Sequence, residues 1–194
     1  MRFLGVYDYT VILTYMSLLS AFFGMILASQ GSLTGAILCL MLSGFCDAFD
    51  GTVARSKKDR TEDEKAFGIQ LDSLCDAISF GVFPAYLCYC LGMQSIVDIL
   101  MLGLFCVCAV IRLAFFNVEE GKRQKVEDGC NKFYRGLPVT TISMLLPPVY
   151  LLRSFLPRQV FFIILHMLVA LVGFLFILDI PIKKLDIKKL FVKP

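Results

Sequence analysis

Four aspartates, Asp47, Asp50, Asp72 and Asp76, fall inside two segments that are otherwise apolar enough to be membrane helices. No other feature limits the fold of the chain so tightly. An ionised carboxylate at the centre of a bilayer costs about 2.5–3.5 kcal/mol on insertion scales. Four of them within residues 46–76 need a compensating partner, and the sequence offers few cations nearby. On a helix, Asp47, Asp50 and Ala54 share one face at i, i+3 and i+7, with Gly51 beside them. Gly68, Asp72 and Asp76 form a second stripe at i, i+4 and i+8. Two such helices facing each other gather four carboxylates around one point. Hard divalent cations, which take oxygen ligands, are the natural occupants, so a metal site is expected here.

The rest of the chain has to hold that site in a membrane. Of its 194 residues 58% are hydrophobic, and the mean hydropathy of +0.76 excludes an ordinary soluble domain. Charge-poor stretches near the ~20 residues that cross a bilayer as a helix recur along the sequence. They predict an all-α integral membrane protein with six transmembrane helices, at 9–29, 33–56, 67–92, 95–118, 137–155 and 158–179. Residues 1–194 read as one domain, with a short interfacial segment at 1–9 and a basic tail at 180–194 lying on the membrane surface. Residues 11–29 are long enough to remain as the first helix and are not expected to be removed as a signal peptide.

Basic residues set the expected orientation. Arg2 precedes the first helix, Lys57, Lys58, Arg60 and Lys65 lie between the second and third, and Lys122, Arg123, Lys125, Lys132 and Arg135 lie between the fourth and fifth. Five further lysines follow the sixth helix, whereas the opposite loops carry only Arg153 and Arg158. Both termini are therefore expected to be cytoplasmic. The net charge of +3 comes from these rims and suits an anionic lipid surface, so nucleic acid is not an expected partner.

Other polar residues read more plainly. The cysteines form no CxxC pair and are expected to be small, reduced, buried residues. His166, alone in an apolar helix, reads as a packing residue. Thr14, Ser17 and Ser20 on the first helix could face the site or bond back to the preceding turn of their own helix, and the second role is expected for two of the three. Pro84 is expected to kink or break the third helix, and Pro147-Pro148 to disturb the fifth.

Written as spacing, residues 47–76 are D-x2-D-G-x2-A-R-x12-G-x3-D-x3-D. This pattern is similar to the signature of the CDP-alcohol phosphotransferases, integral membrane enzymes with six transmembrane helices. The spacer of twelve residues is long for that family. A second likeness is carried by FGIQLDSL at 67–74, SFGVFPA at 79–85, IRLAFFN at 111–117 and FYRGLP at 133–138. These look like the membrane-embedded phosphatidylserine synthases within the family. The chain departs from them at Phe115, where a second arginine is usual, and at the first helix, where Ser17 is nearest to the usual asparagine.

The resemblance implies a reaction. The phosphatidyl group of CDP-diacylglycerol would pass to the hydroxyl of L-serine, giving phosphatidylserine and CMP. Two divalent ions, Mg2+ or Mn2+, would be held by Asp47, Asp50, Asp72 and Asp76, with Asp76 also taking the hydroxyl proton as general base. Gly51 and Ala54 would leave room for nucleotide, Arg55 would fork onto phosphate, and Gly68 and Thr61 would complete the CDP-lipid site. Arg112 and Arg135 would bind the serine carboxylate or the lipid phosphate, oriented by Asn117; topology anchoring is the competing role for the two arginines. The family further implies a homodimer, and a bacterial plasma membrane with the site facing the cytoplasm is the expected setting.

Rival readings stay within the family or leave it. Glycerol phosphate, inositol phosphate or an archaeal-type lipid would use the same metal site. A divalent-cation transporter would line a path with the aspartates, but it gives no reason for Gly51, Ala54, Arg55 and Gly68 at fixed spacing.

Overall fold

Local signals set each helix boundary in the computed structural model, which describes residues 5, 9–57, 61–125, 133–179 and 181–183, with 10, 52, 54–56, 122–125, 133–135 and 181–183 given by backbone alone. Helix α1 (Ile12–Ser29) is entered through a 3-10 turn at Tyr9–Val11. It ends at Gly31, whose φ of +81° only glycine adopts freely. There the Ser32 N–H donates to Leu27 O and the Gly31 N–H to Ala28 O, the paired bonds that close a helix on a left-handed residue. Helix α2 (Leu33–Ser56) follows at once.

Helix α3 (Glu62–Cys90) starts earlier than the hydropathy predicts. Thr61 and Glu64 form a reciprocal capping box, the Glu64 N–H donating to Thr61 Oγ1 and the Thr61 N–H to Glu64 Oε2. That box turns part of the charged loop into the helix's first turn. The irregularity expected at Pro84 lies just before it. The helix is α-helical over Glu62–Asp76, π-helical over Ala77–Val82 and α-helical again over Phe83–Cys90. Pro84 sits in the first turn of the last stretch, where its missing N–H costs little. The wider turn absorbs the break without bending the chain out of the core. Gly92 (φ +118°) closes α3 as Gly31 closes α1, with Met93 N–H on Cys88 O.

Helix α4 (Ile96–Lys125) begins with Ser95 and Asp98 capping each other. Helix α5 (Val139–Leu152) has three 3-10 residues and 11 α-helical ones, a rise of roughly 20 Å that falls short of the hydrocarbon thickness. Helix α6 is Arg158–Ile177. Among the described residues five helices, all but α5, are long and apolar enough to cross a membrane.

One element was not expected. Strands β1 (Phe133–Arg135) and β2 (Pro181–Lys183) pair antiparallel, Tyr134 opposite Ile182. Part of the tail assigned to the membrane surface is thus a strand, whose ladder satisfies backbone groups of the segment leading back into α5. The remainder of 180–194, and residues 1–9 apart from Gly5 and Tyr9, lie outside the described residues.

Helix α3 is the central helix: 61% of its hydrophobic window is buried, against 28–33% in the other four long helices. Phe80, Phe83 and Leu87 are fully enclosed, and Gly24 of α1 has no Cβ because the Phe83 ring occupies that space. The outer faces of α1, α2, α4 and α6 show Phe22, Phe45, Leu104 and Met167 to the surroundings, as helices facing lipid do.

Thr14, Ser17 and Ser20 are buried and reach α2. Thr14 Oγ1 donates to Asp50 Oδ2 at 3.1 Å, Ser17 and Ser43 exchange hydrogen bonds, and Ser20 Oγ donates to Cys39 O at 2.8 Å. The expectation that two of them bond back to the preceding turn is corrected: close helix packing brings α2 acceptors nearer. His166 packs as expected and adds a link, with Nε2 2.7 Å from Asp98 Oδ1 and Nδ1 2.6 Å from Phe162 O.

Candidate active site

Helices α2 and α3 bring the aspartates together. One carboxylate oxygen each from Asp47, Asp50 and Asp72 lies within 4.8 Å of the others. Asp76 lines the same cavity next to this group and is itself buried. The Asp47 and Asp76 carboxylates are in hydrogen-bonding reach of each other, as are those of Asp50 and Asp72. Carboxylates that close repel unless a proton or a cation lies between them. Asp72 Oδ1 is buried with no hydrogen-bond partner among the described residues, the condition a bound cation relieves. The donor set is oxygen only, although Cys46 and Cys75 are buried on the same two helices. It suits a hard divalent ion better than zinc.

The cavity has a volume of about 400 Å³. Its acidic side is Asp47, Ala48, Asp50 and Gly51 from α2 and Asp72 and Asp76 from α3. The opposite wall is Arg112, Leu113 and Phe116 from α4 with Pro138, Val139 and Thr140 at the start of α5. Arg112 is buried and donates from Nε to Leu137 O at 3.1 Å and from Nη2 to Gly136 O at 3.3 Å. The Leu137 N–H donates onward to Leu175 O of α6. Gly136, at φ +78°, has Leu178 O where a Cβ would approach to 3.0 Å. The segment returning to the membrane is therefore seated between Arg112 and the end of α6.

Of the residues expected at the site, Asp47, Asp50, Gly51, Asp72, Asp76 and Arg112 share this cavity. Gly68 is half-buried one turn before Asp72 and does not line it. Thr61 is exposed, its hydroxyl taken up by the α3 cap. Asn117 also lies off the cavity, accepting from Ser73 Oγ at 2.7 Å and donating to Gln70 Oε1 at 3.5 Å, so it ties α4 to α3 beside Asp72. For Ala54, Arg55 and Arg135 the backbone alone is described, and their side-chain roles lie outside the described residues.

Sequence reasoning offered Thr14, which steadies Asp50, only as one of three hydroxyls able to face the site, and it missed the wall residues Phe116, Pro138 and Thr140. Nothing in spacing marks them, because they reach the site through tertiary packing. A second hollow was missed too. A groove of about 900 Å³ runs between α2 and α5 from Thr34 and Tyr150 at one end to Asp47, Ala48, Pro138 and Thr140 at the other. Apolar side chains such as Ile37, Met41, Phe45 and Met144 line its length, and Leu38, Phe45, Met144 and Leu151 on its rim are exposed.

The family model described as CDP-alcohol phosphatidyltransferase matches residues 9–177. A CDP-diacylglycerol–serine O-phosphatidyltransferase of Saccharomyces cerevisiae is 34% identical, covering 79% of this chain and 56% of the relative. An archaetidylserine synthase of Methanothermobacter thermautotrophicus is 31% identical, covering 84% of the chain and 66% of the relative. A CDP-diacylglycerol–serine O-phosphatidyltransferase of Methanocaldococcus jannaschii is 33% identical over 79% of the chain and 65% of the relative. The chain thus spans somewhat more than half of the length of these relatives. No solved structure matches it significantly.

Proposed function

The chain belongs to the CDP-alcohol phosphatidyltransferase family and is an integral membrane protein; from that premise we propose that it transfers the phosphatidyl group of CDP-diacylglycerol to L-serine, releasing CMP. The observation that carries the reading is the meeting of two unlike hollows: a carboxylate-lined cavity adjoins an apolar groove, the two sharing Asp47, Ala48, Pro138 and Thr140. A CDP-linked lipid has that same division, a charged pyrophosphate joined to hydrocarbon chains. The serine acceptor is supported by the names of the relatives.

Asp47, Asp50 and Asp72 would hold Mg2+ or Mn2+, with Asp76 adjoining, two ions in all. Bound there, the metal supplies charge neutralisation of the pyrophosphate and of the departing CMP. The chain's own part is orientation and proton transfer. Thr14 holds Asp50, and the packing of α3 holds Asp72 and Asp76 on one side of the cavity. The serine hydroxyl attacks the phosphorus that bears the lipid; its oxygen–phosphorus bond forms as the bond to the CMP oxygen breaks. The hydroxyl proton passes to an Asp76 carboxylate oxygen. Arg112, facing the acidic side across the cavity, offers its remaining N–H groups to the serine carboxylate or the lipid phosphate. Gly51 leaves the α2 backbone open to nucleotide, and Arg55, one turn on in the sequence, would bind phosphate. The active site faces the cytoplasm of a bacterial plasma membrane, where the basic rims lie, and the working unit is a homodimer.

The test is CMP release by purified protein in detergent with CDP-diacylglycerol and Mn2+, with and without L-serine. Serine-dependent release, lost in Asp76→Asn, is the expected result. Release driven by glycerol 3-phosphate or inositol phosphate and not by serine would move the enzyme within its family. Mn2+ binding without release by any alcohol would overturn the transferase reading.

A further inference from the structure

The acidic cavity and the apolar groove share Asp47, Ala48, Pro138 and Thr140. Any lipid with its phosphate at the aspartates and its chains in the groove must lay its glycerol backbone across this short wall. Asp47 belongs to the acidic cluster, and Ala48 and Pro138 have no side-chain donor. Thr140 alone among the four brings a neutral hydroxyl.

The wall is also held in place. Ser143 Oγ donates to Thr140 O at 2.7 Å, and it reaches that position because Gly44 of α2 has no Cβ, the space being filled by Ser143. The Thr140 carbonyl is thereby held, while the residue is half-buried and its side chain makes no hydrogen bond among the described residues. Because Thr140 lines both hollows, a lipid that spans them passes its backbone beside this donor, and an acceptor there would pair with it. In a diacyl lipid that acceptor is an ester carbonyl. A dialkyl ether keeps the bridging oxygen and lacks the carbonyl.

We propose that Thr140 donates a hydrogen bond to an ester carbonyl of the CDP-lipid and so selects acyl-ester donors over alkyl-ether ones. This rests on the CDP-lipid transferase reading of the site. One neutral hydrogen bond corresponds to a preference of about threefold to tenfold.

The experiment compares CDP-dipalmitoylglycerol with its dihexadecyl ether counterpart, matched in chain length, for the full chain with L-serine and Mn2+. Wild type should show a kcat/KM ratio of about three to ten in favour of the ester. In Thr140→Val the ratio should approach one, with the loss on the ester donor, and Thr140→Ser should restore it. A wild-type ratio of one overturns the proposal by itself, which keeps the test decisive if Thr140→Val does not fold. An unchanged ratio in a folded Thr140→Val, or equal slowing of both donors, also overturns it and leaves the transferase reading standing. No CMP from either donor would remove both.

Discussion

At the scale of single residues, the acidic cluster was legible because period and chemistry coincide: carboxylates three or four residues apart in an apolar run have one face to share. Its steadying partners were not. Thr14, thirty-six positions before Asp50, carries no signal that separates it from any membrane-helix hydroxyl. Asn117 was legible as polar but not as a link to Ser73. Removing a cluster carboxylate tests the assignment. Asp72→Asn should weaken Mn2+ binding at least about tenfold, by analogy with losses on changing groups around a metal, as measured by calorimetric titration. Asp76→Asn should lower the rate of CMP release by about 10²–10⁴-fold, read under saturating Mn2+. Equal metal affinity in Asp72→Asn and wild type would remove that residue from the ligand set.

Whole elements were read well where hydropathy is continuous and poorly where it is interrupted. The ends of α1 and α2 follow the sequence closely, because a glycine turn and a charge boundary mark them. The start of α3 was misjudged because the capping box lies in a stretch whose charges suggest a loop. Thr61→Ala should therefore destabilise the protein by about 1 kcal/mol, seen as a lowered Tm in detergent. The segment before α5 gives a sharper test. Gly136→Ala forces an unfavourable left-handed conformation and crowds Leu178 O, for a loss of about 1–2 kcal/mol. Arg112→Lys keeps the charge but not the two-pronged hold on Gly136 O and Leu137 O. It should cost roughly 1.5–3 kcal/mol, again as a fall in Tm, with slower CMP release because the cavity wall shifts.

For the whole molecule, composition settled the solvent, and helix count followed from it, except that α5 is too short to span by itself. What composition does not carry is which faces meet. The central position of α3 and the β1–β2 ladder depend on contacts between segments far apart in sequence. Metal removal is the test at this scale. EDTA should abolish CMP release, and added Mn2+ or Mg2+ should restore it; undiminished release after dialysis against chelator would remove the ion from the mechanism.

The groove between α2 and α5 has a rim of exposed apolar side chains suited to hydrocarbon, and one end of it shares Asp47, Ala48, Pro138 and Thr140 with the polar cavity. Under the proposed function, donor and product lipids would trade places sideways, within two dimensions, while CMP would leave into three. The turnover rate should follow the mole fraction of CDP-lipid in the bilayer or micelle and not its bulk molarity: diluting it with inert lipid slows the enzyme, and diluting the vesicles in buffer does not.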